Sequence, residues 1–279
     1  MKLKTRSQGA YAQVTGARLY YEERGAGYPL MFIPGGSVDA SHYATVADRL
    51  TDEFRTVTFD RRGNGRSPRP PGWYATSIAE QADDVAGLIE ALGLAPCAVW
   101  AGSLGGVILL ELLMRRPGVV SVAIVHEPPL FGVLDDGEQL AAALLGWAAR
   151  AIRANAVRDA FRDHARQSVG DAFEHLAPDA RERMFANAEV FFDLEIPALV
   201  DYRPTSTSRA FRRIDIPLCV MADANNAGAP PVRAARWLAE TLGAELRELP
   251  GGHMPYATEP EATVAAIRAA IDLKGGTST

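Results

Sequence analysis

The sequence predicts an α/β domain with a mostly parallel sheet flanked by helices and a helical insert after the sixth strand. Three observations carry this expectation. Short apolar runs rich in β-branched residues alternate with segments of helical periodicity, the pattern of strands joined by crossover helices. The alternation stops after Leu130, and a helical stretch of roughly eighty residues follows with no convincing strand. It resumes at "PLCVMAD" and continues to the last helix. The expected division is a core of residues 1–130 and 213–279 and an insert of residues 131–212.

In chain order, "ARLYYEERG" and the stretch before it suggest an opening β-hairpin. "PLMFIP" and "RTVTFD" are short, apolar and bounded by Gly or Pro, so they read as buried strands. "SIAEQADDVAGLIEALG" places Ile78, Ala82, Val85, Leu88, Ile89 and Leu92 at helical spacing, with Gly93 as the stop. "CAVWAG" is the next strand. "GGVILLELLMRRPG" is a helix closed by Pro117 and Gly118, and "VVSVAIV" is the sixth strand. Within the insert, Leu140, Leu144, Ala148 and Ile152 recur every four residues and predict one apolar stripe. Beyond "YRPTSTSRAFRRIDIP", the runs "PLCVMAD", "PPVRAARWLAETLG", "AELRELP" and "PEATVAAIRAAIDL" read as strand, helix, strand and helix. An insert that leaves a strand's carboxyl end lies over the edge where open α/β sheets bind ligands.

Composition narrows the function classes. Hydrophobic residues make up 48% of 279 residues, enough for a sizeable core. A net charge of -5 without basic tracts argues against a nucleic-acid partner. The charged N-terminus has no apolar stretch behind it, which argues against a signal peptide. The most apolar helix candidate, "GVILLELLM", is short and carries Glu111, so no membrane span is expected. Cys97 and Cys219 fall in apolar strand-like runs and read as small buried hydrophobes. A cytoplasmic protein without metal or cofactor is expected, and a homodimer is compatible with the sequence.

Ser103 lies in "WAGSLGG" between a strand and a helix, among Ala101, Gly102, Gly105 and Gly106. A nucleophile elbow needs such small residues, because the turn is tight and strand and helix approach closely. The alternative is a structural serine in an ordinary strand–helix turn. The Leu104 N–H, at the start of the helix, would be one oxyanion donor. In "FIPGGS", the N–H of Gly36 or Ser37 would be the second, unless this is a plain glycine turn. Of the five histidines, only His253, in "LPGGHMPYATEP", has the position a general base needs after serine and acid. His164 and His175 fall among charged residues of the insert and read as solvated, and His42 follows the glycine turn, where it could line the pocket. "DRRGNGRS" reads as a structural turn with ion-paired arginines, not a P-loop.

"FIPGGS", "TFDRRGNGRS", "WAGSLGG" and "PGGHMPY" stand in order over nearly the whole chain, and with them the sequence resembles the α/β-hydrolase superfamily. The resemblance implies the α/β-hydrolase fold and a serine-acid-histidine triad. The usual acid position after "PLCVMAD" is Asn226, which carries no charge. Glu127, in "VHEPPL", occupies the known variant position after the preceding strand. With "HE-x-P" beside the serine and histidine motifs, the chain is similar to the zearalenone lactonases and to bacterial hydrolases with the "HEPP" string. The resemblance implies a triad of Ser103, Glu127 and His253. Pro128 and Pro129 end the strand and hold Glu127 at the sheet's carboxyl edge. Asp223 is the rival acid, and His126 is expected to point to the opposite side of the strand.

The expected activity is cleavage of a carboxylic ester or lactone, extending to a bulky macrolactone. Phe131, Trp147, Phe191 and Phe192 stand as substrate-binding walls, with core packing as the alternative for each. Two other readings stay open: a non-hydrolytic enzyme on the same scaffold, such as a lyase or cofactor-free oxygenase, and a silent ligand-binding protein.

Overall fold

The computed structural model describes residues 8–169, 173, 176–203 and 214–272. Its strands form one eight-stranded sheet in the order β1-β2-β4-β3-β5-β6-β7-β8. The hairpin β1 (Gln8–Val14) and β2 (Ala17–Arg24) is antiparallel, as its sequence suggested, and β2 pairs antiparallel with β4 (Phe54–Phe59). All remaining pairings are parallel: β3 (Tyr28–Ile33), β5 (Cys97–Gly102), β6 (Val120–His126), β7 (Leu218–Asp223) and β8 (Glu245–Leu249).

The central strands are buried on both faces, which is why they read as unbroken apolar runs. Along β5, Cys97, Val99 and Ala101 enter one core, while Ala98 and Trp100 enter the other. The helices α2 (Ile78–Ala91) and α3 (Leu104–Arg115) cover the first face. Ser77 caps α2 by accepting from the Glu80 N–H at 3.0 Å. Helices α1 (Ala44–Arg49) and α10 (Pro260–Asp272) cover the second face. Helix α8 (Pro230–Leu242) connects β7 to β8, and α9 (Pro255–Thr258) precedes α10.

The strand order reverses at β3. Its successor β4 lies on one side and β5 on the other. The carboxyl ends of β3 and β5 therefore open a crevice at the switch point, the place where open α/β sheets bind ligands. Ile33 and Ala101 pair across this point, so the loops after them emerge side by side.

Between β6 and β7 the described secondary structure is helical. It comprises α4 (Gly137–Arg153), α5 (Val157–Val169), α6 (Pro178–Val190), a π-helical turn Phe191–Glu195, and α7 (Ile196–Asp201). The expected stripe on α4 is only partly buried. Ala148 is buried, but Ile152 is 42% exposed, because Ala141 and Ala151 complete the inward face instead. The expected boundary at residue 212, like His175, lies outside the described residues.

The "DRRGNGRS" turn is ion-paired as expected. Arg62 forks onto Asp84 at 2.6 and 2.8 Å, and Arg66 binds Asp60 and Glu22. Cys97 and Cys219 are free and buried. No helix among the described residues is long and apolar enough to cross a membrane.

Candidate active site

Ser103 sits where β5 turns into α3, with φ 55° and ψ -129°. A non-glycine residue held there is strained, and such strain aims a side chain out of a sharp turn. The flanking glycines have specific reasons to be small. A Cβ on Gly105 would lie 2.4 Å from the Ile33 carbonyl oxygen, and one on Gly106 would meet Val125 and Pro128. The Ser103 N–H donates to the His126 carbonyl at 2.8 Å, so the turn is tied to the end of β6.

One residue further along that strand is Glu127, only 2% exposed and itself at φ 45°. Its N–H donates to the Met221 carbonyl, which extends the β6–β7 ladder by one rung. The carboxylate is fully engaged. Oε1 accepts from the Asp223 N–H at 2.7 Å, and Oε2 lies 2.5 Å from His253 Nδ1. Burial alone would raise the Glu127 pKa. The His253 hydrogen bond, neighbouring charge and the Asp223 N–H outweigh it and hold the group at about 2. An ionised carboxylate only accepts, so His253 Nδ1 carries the proton and Nε2 is left free to take one. Asp223 contributes its backbone rather than its carboxylate, which accepts from the Asn225 N–H at 3.1 Å.

Ser103, Glu127 and His253 line one cavity of about 810 Å³. The insert walls it with Phe131, Leu140, Leu144, Trp147 and Phe191, and α8 adds Pro230 and Val232. A narrower cavity of about 70 Å³ shares Ser103, Phe191 and His253 and is bounded by Gly36, Met254 and Tyr256. A separate cavity of about 440 Å³, between Tyr74 and Tyr202, contains none of the three. Among the described residues, no cluster of His, Cys, Asp or Glu could hold a metal ion.

The other expected residues divide. Leu104 opens α3 and lines the large cavity, with its N–H among the first helical amides, which lack intrahelical acceptors. Gly36 borders the narrow cavity. Ser37 is wholly buried at φ 60°, outside the linings of both cavities at Ser103. Phe131, Trp147 and Phe191 are cavity walls. Phe192 is not: it is 1% exposed and packs behind Trp147 with ring centroids 4.4 Å apart.

His126, expected on the opposite side, instead lies beside the pair: its Nε2 is 3.8 Å from Glu127 Oε1 and its ring centroid 6.2 Å from that of His253, while it stacks on Trp100 and burial pushes its pKa down to about 4. His42 caps a turn through Asp39 rather than lining these cavities. His164 keeps an exposed side, but it is not simply solvated: it lines both cavities at Ser103 and packs on Trp147 with ring centroids 5.0 Å apart, and desolvation there pushes its pKa down to about 4. Its charged neighbours in sequence hid that position. Leu140 and Leu144, read as a packing stripe, are walls for the same reason of face.

The comparisons with known proteins agree with this architecture. The model of the alpha/beta hydrolase family matches residues 30–266. The uncharacterized hydrolase YraK of Bacillus subtilis (strain 168) is 30% identical over 254 residues, 88% of this chain and 89% of its own length. A thermophilic esterase from Thermogutta terrifontis superimposes with a TM-score of 0.78 at 21% identity, covering 96% of this chain and 99% of that one. The enol-lactonase from Burkholderia xenovorans LB400 gives 0.77 at 19% identity, covering 94% and 99%.

Proposed function

The chain belongs to the alpha/beta hydrolase family, and from that premise we propose that it is a metal-free serine hydrolase cleaving a carboxylic ester or lactone through an acyl-enzyme. The observation that carries this reading is the 2.5 Å contact of Glu127 with His253 in a cavity that also holds Ser103 at a strained elbow.

The chemistry follows from those groups. His253 Nε2 takes the proton of Ser103 as Oγ attacks the substrate carbonyl carbon. Glu127 holds the ring and stabilises its charged form. The Leu104 N–H and an N–H of the Gly36–Ser37 turn receive the developing oxyanion. Collapse of the tetrahedral adduct expels the alcohol, which takes the proton from His253. For a lactone the alcohol stays tethered to the acyl group. Water then attacks the acyl-enzyme with His253 again as base, releasing the acid and restoring Ser103.

Residues 131–212 act in this reading as a cap whose aromatic and aliphatic side chains select the substrate. The finer reading is a bulky, mostly apolar ester or macrolactone of the class opened by zearalenone lactonases. The motif set around Glu127 and the apolar walls of an 810 Å³ cavity support it. A turnover screen over p-nitrophenyl esters, small lactones and macrolactones tests both levels. Turnover of bulky members is expected. Activity confined to short acyl esters removes the macrolactone reading, and inertness toward every ester and lactone removes the hydrolase reading.

A further inference from the structure

Three side chains from one face of the insert pack against the turns that follow β3 and β4. Asn187, Phe191 and Glu195 are spaced four apart. In an α-helix each such step drifts by about 40° around the axis. The π-helical turn at Phe191–Glu195 holds more residues per turn, which reduces the drift and keeps Glu195 facing the core. Asn187 Nδ2 donates to the Ser37 carbonyl at 3.1 Å, and its Oδ1 accepts from the Gly65 N–H at 2.7 Å. The Phe191 ring lies so close over Gly36 that a Cβ there would approach it to 2.3 Å. Glu195 is 0% exposed; it accepts from Arg61 at 2.5 and 2.9 Å and from Asn64 at 2.8 Å. Arg61 Nη2 donates in turn to the Gly35 carbonyl at 2.8 Å.

These contacts reach three consecutive residues, 35, 36 and 37. In a trans peptide the carbonyl and the following N–H point in opposite directions. Holding the Gly35 carbonyl against Arg61 therefore turns the Gly36 N–H away from Arg61. Two adjacent glycines would otherwise let this peptide rotate at little steric cost, because glycine occupies both signs of φ. A rotated peptide would present a carbonyl, not a donor, to the oxyanion.

We infer that Glu195, acting through Arg61, and Asn187, acting through the Ser37 carbonyl, are positioning residues that fix the Gly36 N–H as an oxyanion donor. The insert thereby governs the electrophilic half of the core's site as well as its walls. The buried charges fit this role. A carboxylate and a guanidinium out of water persist only when paired, and the bidentate fork fixes direction as well as distance. The inference rests on the serine-hydrolase reading above.

The experiment compares Glu195→Gln and Asn187→Ala with the wild type on an activated ester, with rates normalised to titrated active sites. The wild type is measured first, and its failure to turn over ester would remove the underlying reading before any variant is compared. With an active wild type, each variant is expected to lower kcat at least tenfold, toward the roughly 10²–10³ that loss of an oxyanion donor costs. KM should stay within about threefold, the pattern of an interaction made only in the transition state. A trifluoromethyl ketone, whose hemiketal oxygen occupies the same hole, should bind more weakly by the same factor as kcat/KM falls. Wild-type kcat and ketone affinity in correctly folded variants would overturn the inference, as would a loss confined to KM. If neither variant folds, the contacts serve stability and the inference is also overturned.

Discussion

At the scale of single residues, Glu127 is the most constrained group in the site. Both carboxylate oxygens are committed, to the Asp223 N–H and to His253, and the strand's last rung holds the backbone. Glu127→Gln would keep the shape and remove the charge that supports the imidazolium. On the proposed mechanism a loss of about 10⁴ in kcat is expected, the effect of removing the aligned carboxylate from a serine triad. Asp223→Asn should retain most activity, since its backbone makes the contact. Steady-state kinetics of the two folded variants check this, and the reverse ranking would move the acid to Asp223.

Glu127 also contributes to the acid limb of stability. The Glu127 pKa is depressed from 4.5 to about 2, so its contribution is complete above 4.5 and is lost as pH falls toward 2. His126 behaves differently, because burial depresses a base, from 6.5 to about 4. Between those values the unfolded chain binds more protons, so stability falls as pH is lowered through that window. Denaturant midpoints at pH 7 and pH 4.5 should therefore differ. His164, also pushed down to about 4 by burial, titrates in the same window, so His126→Phe, which retains a ring on Trp100, should reduce the difference without abolishing it; an undiminished difference would place the titration elsewhere.

At the scale of elements, Gly105 lets the first turn of α3 pack directly against the backbone at the end of β3. Gly105→Ala would place a carbon 2.4 Å from one backbone oxygen and 2.8 Å from the next, neither of which is a movable side-chain end. The helix must shift, at a cost of about 1–3 kcal/mol in folding stability. The elbow shifts with it, so activity should fall as well. A thermal melt and an ester assay of this variant read both effects, and wild-type values in both would show that the contact is slack.

Helix α4 carries a different expectation. Leu144 and Trp147 face the large cavity, so Leu144→Trp should cut kcat/KM for bulky esters by roughly tenfold or more while sparing p-nitrophenyl acetate. Equal losses on both substrates would mean that α4 acts on stability rather than selection.

On the scale of the whole molecule, the sequence carries what is local or strictly ordered. Parallel strands buried on both faces read as apolar runs, and their alternation with helices is visible without any contact being known. Ser103, Glu127 and His253, which line one cavity, were legible as a candidate site because each follows a strand in a recognisable turn: small residues, paired prolines and a glycine pair. Arg61 and Glu195 pair across 134 positions, and no spacing rule links them. Phe191 and Phe192 are adjacent on a helical turn, so periodicity could not say which faces the cavity, and only Phe191 does. His164 was hidden by exposed neighbours on its own helix, because the partner that gives it a place, Trp147, comes from another helix.

The central claim is that Ser103 is the nucleophile of an acyl-transfer site assembled between core and insert. Intact-protein mass spectrometry after fluorophosphonate treatment tests it most directly. One adduct per chain is expected, mapped to the peptide containing Ser103, with none on folded Ser103→Ala. An adduct that persists in Ser103→Ala, or a folded wild type that takes no adduct and hydrolyses no ester, would contradict the account.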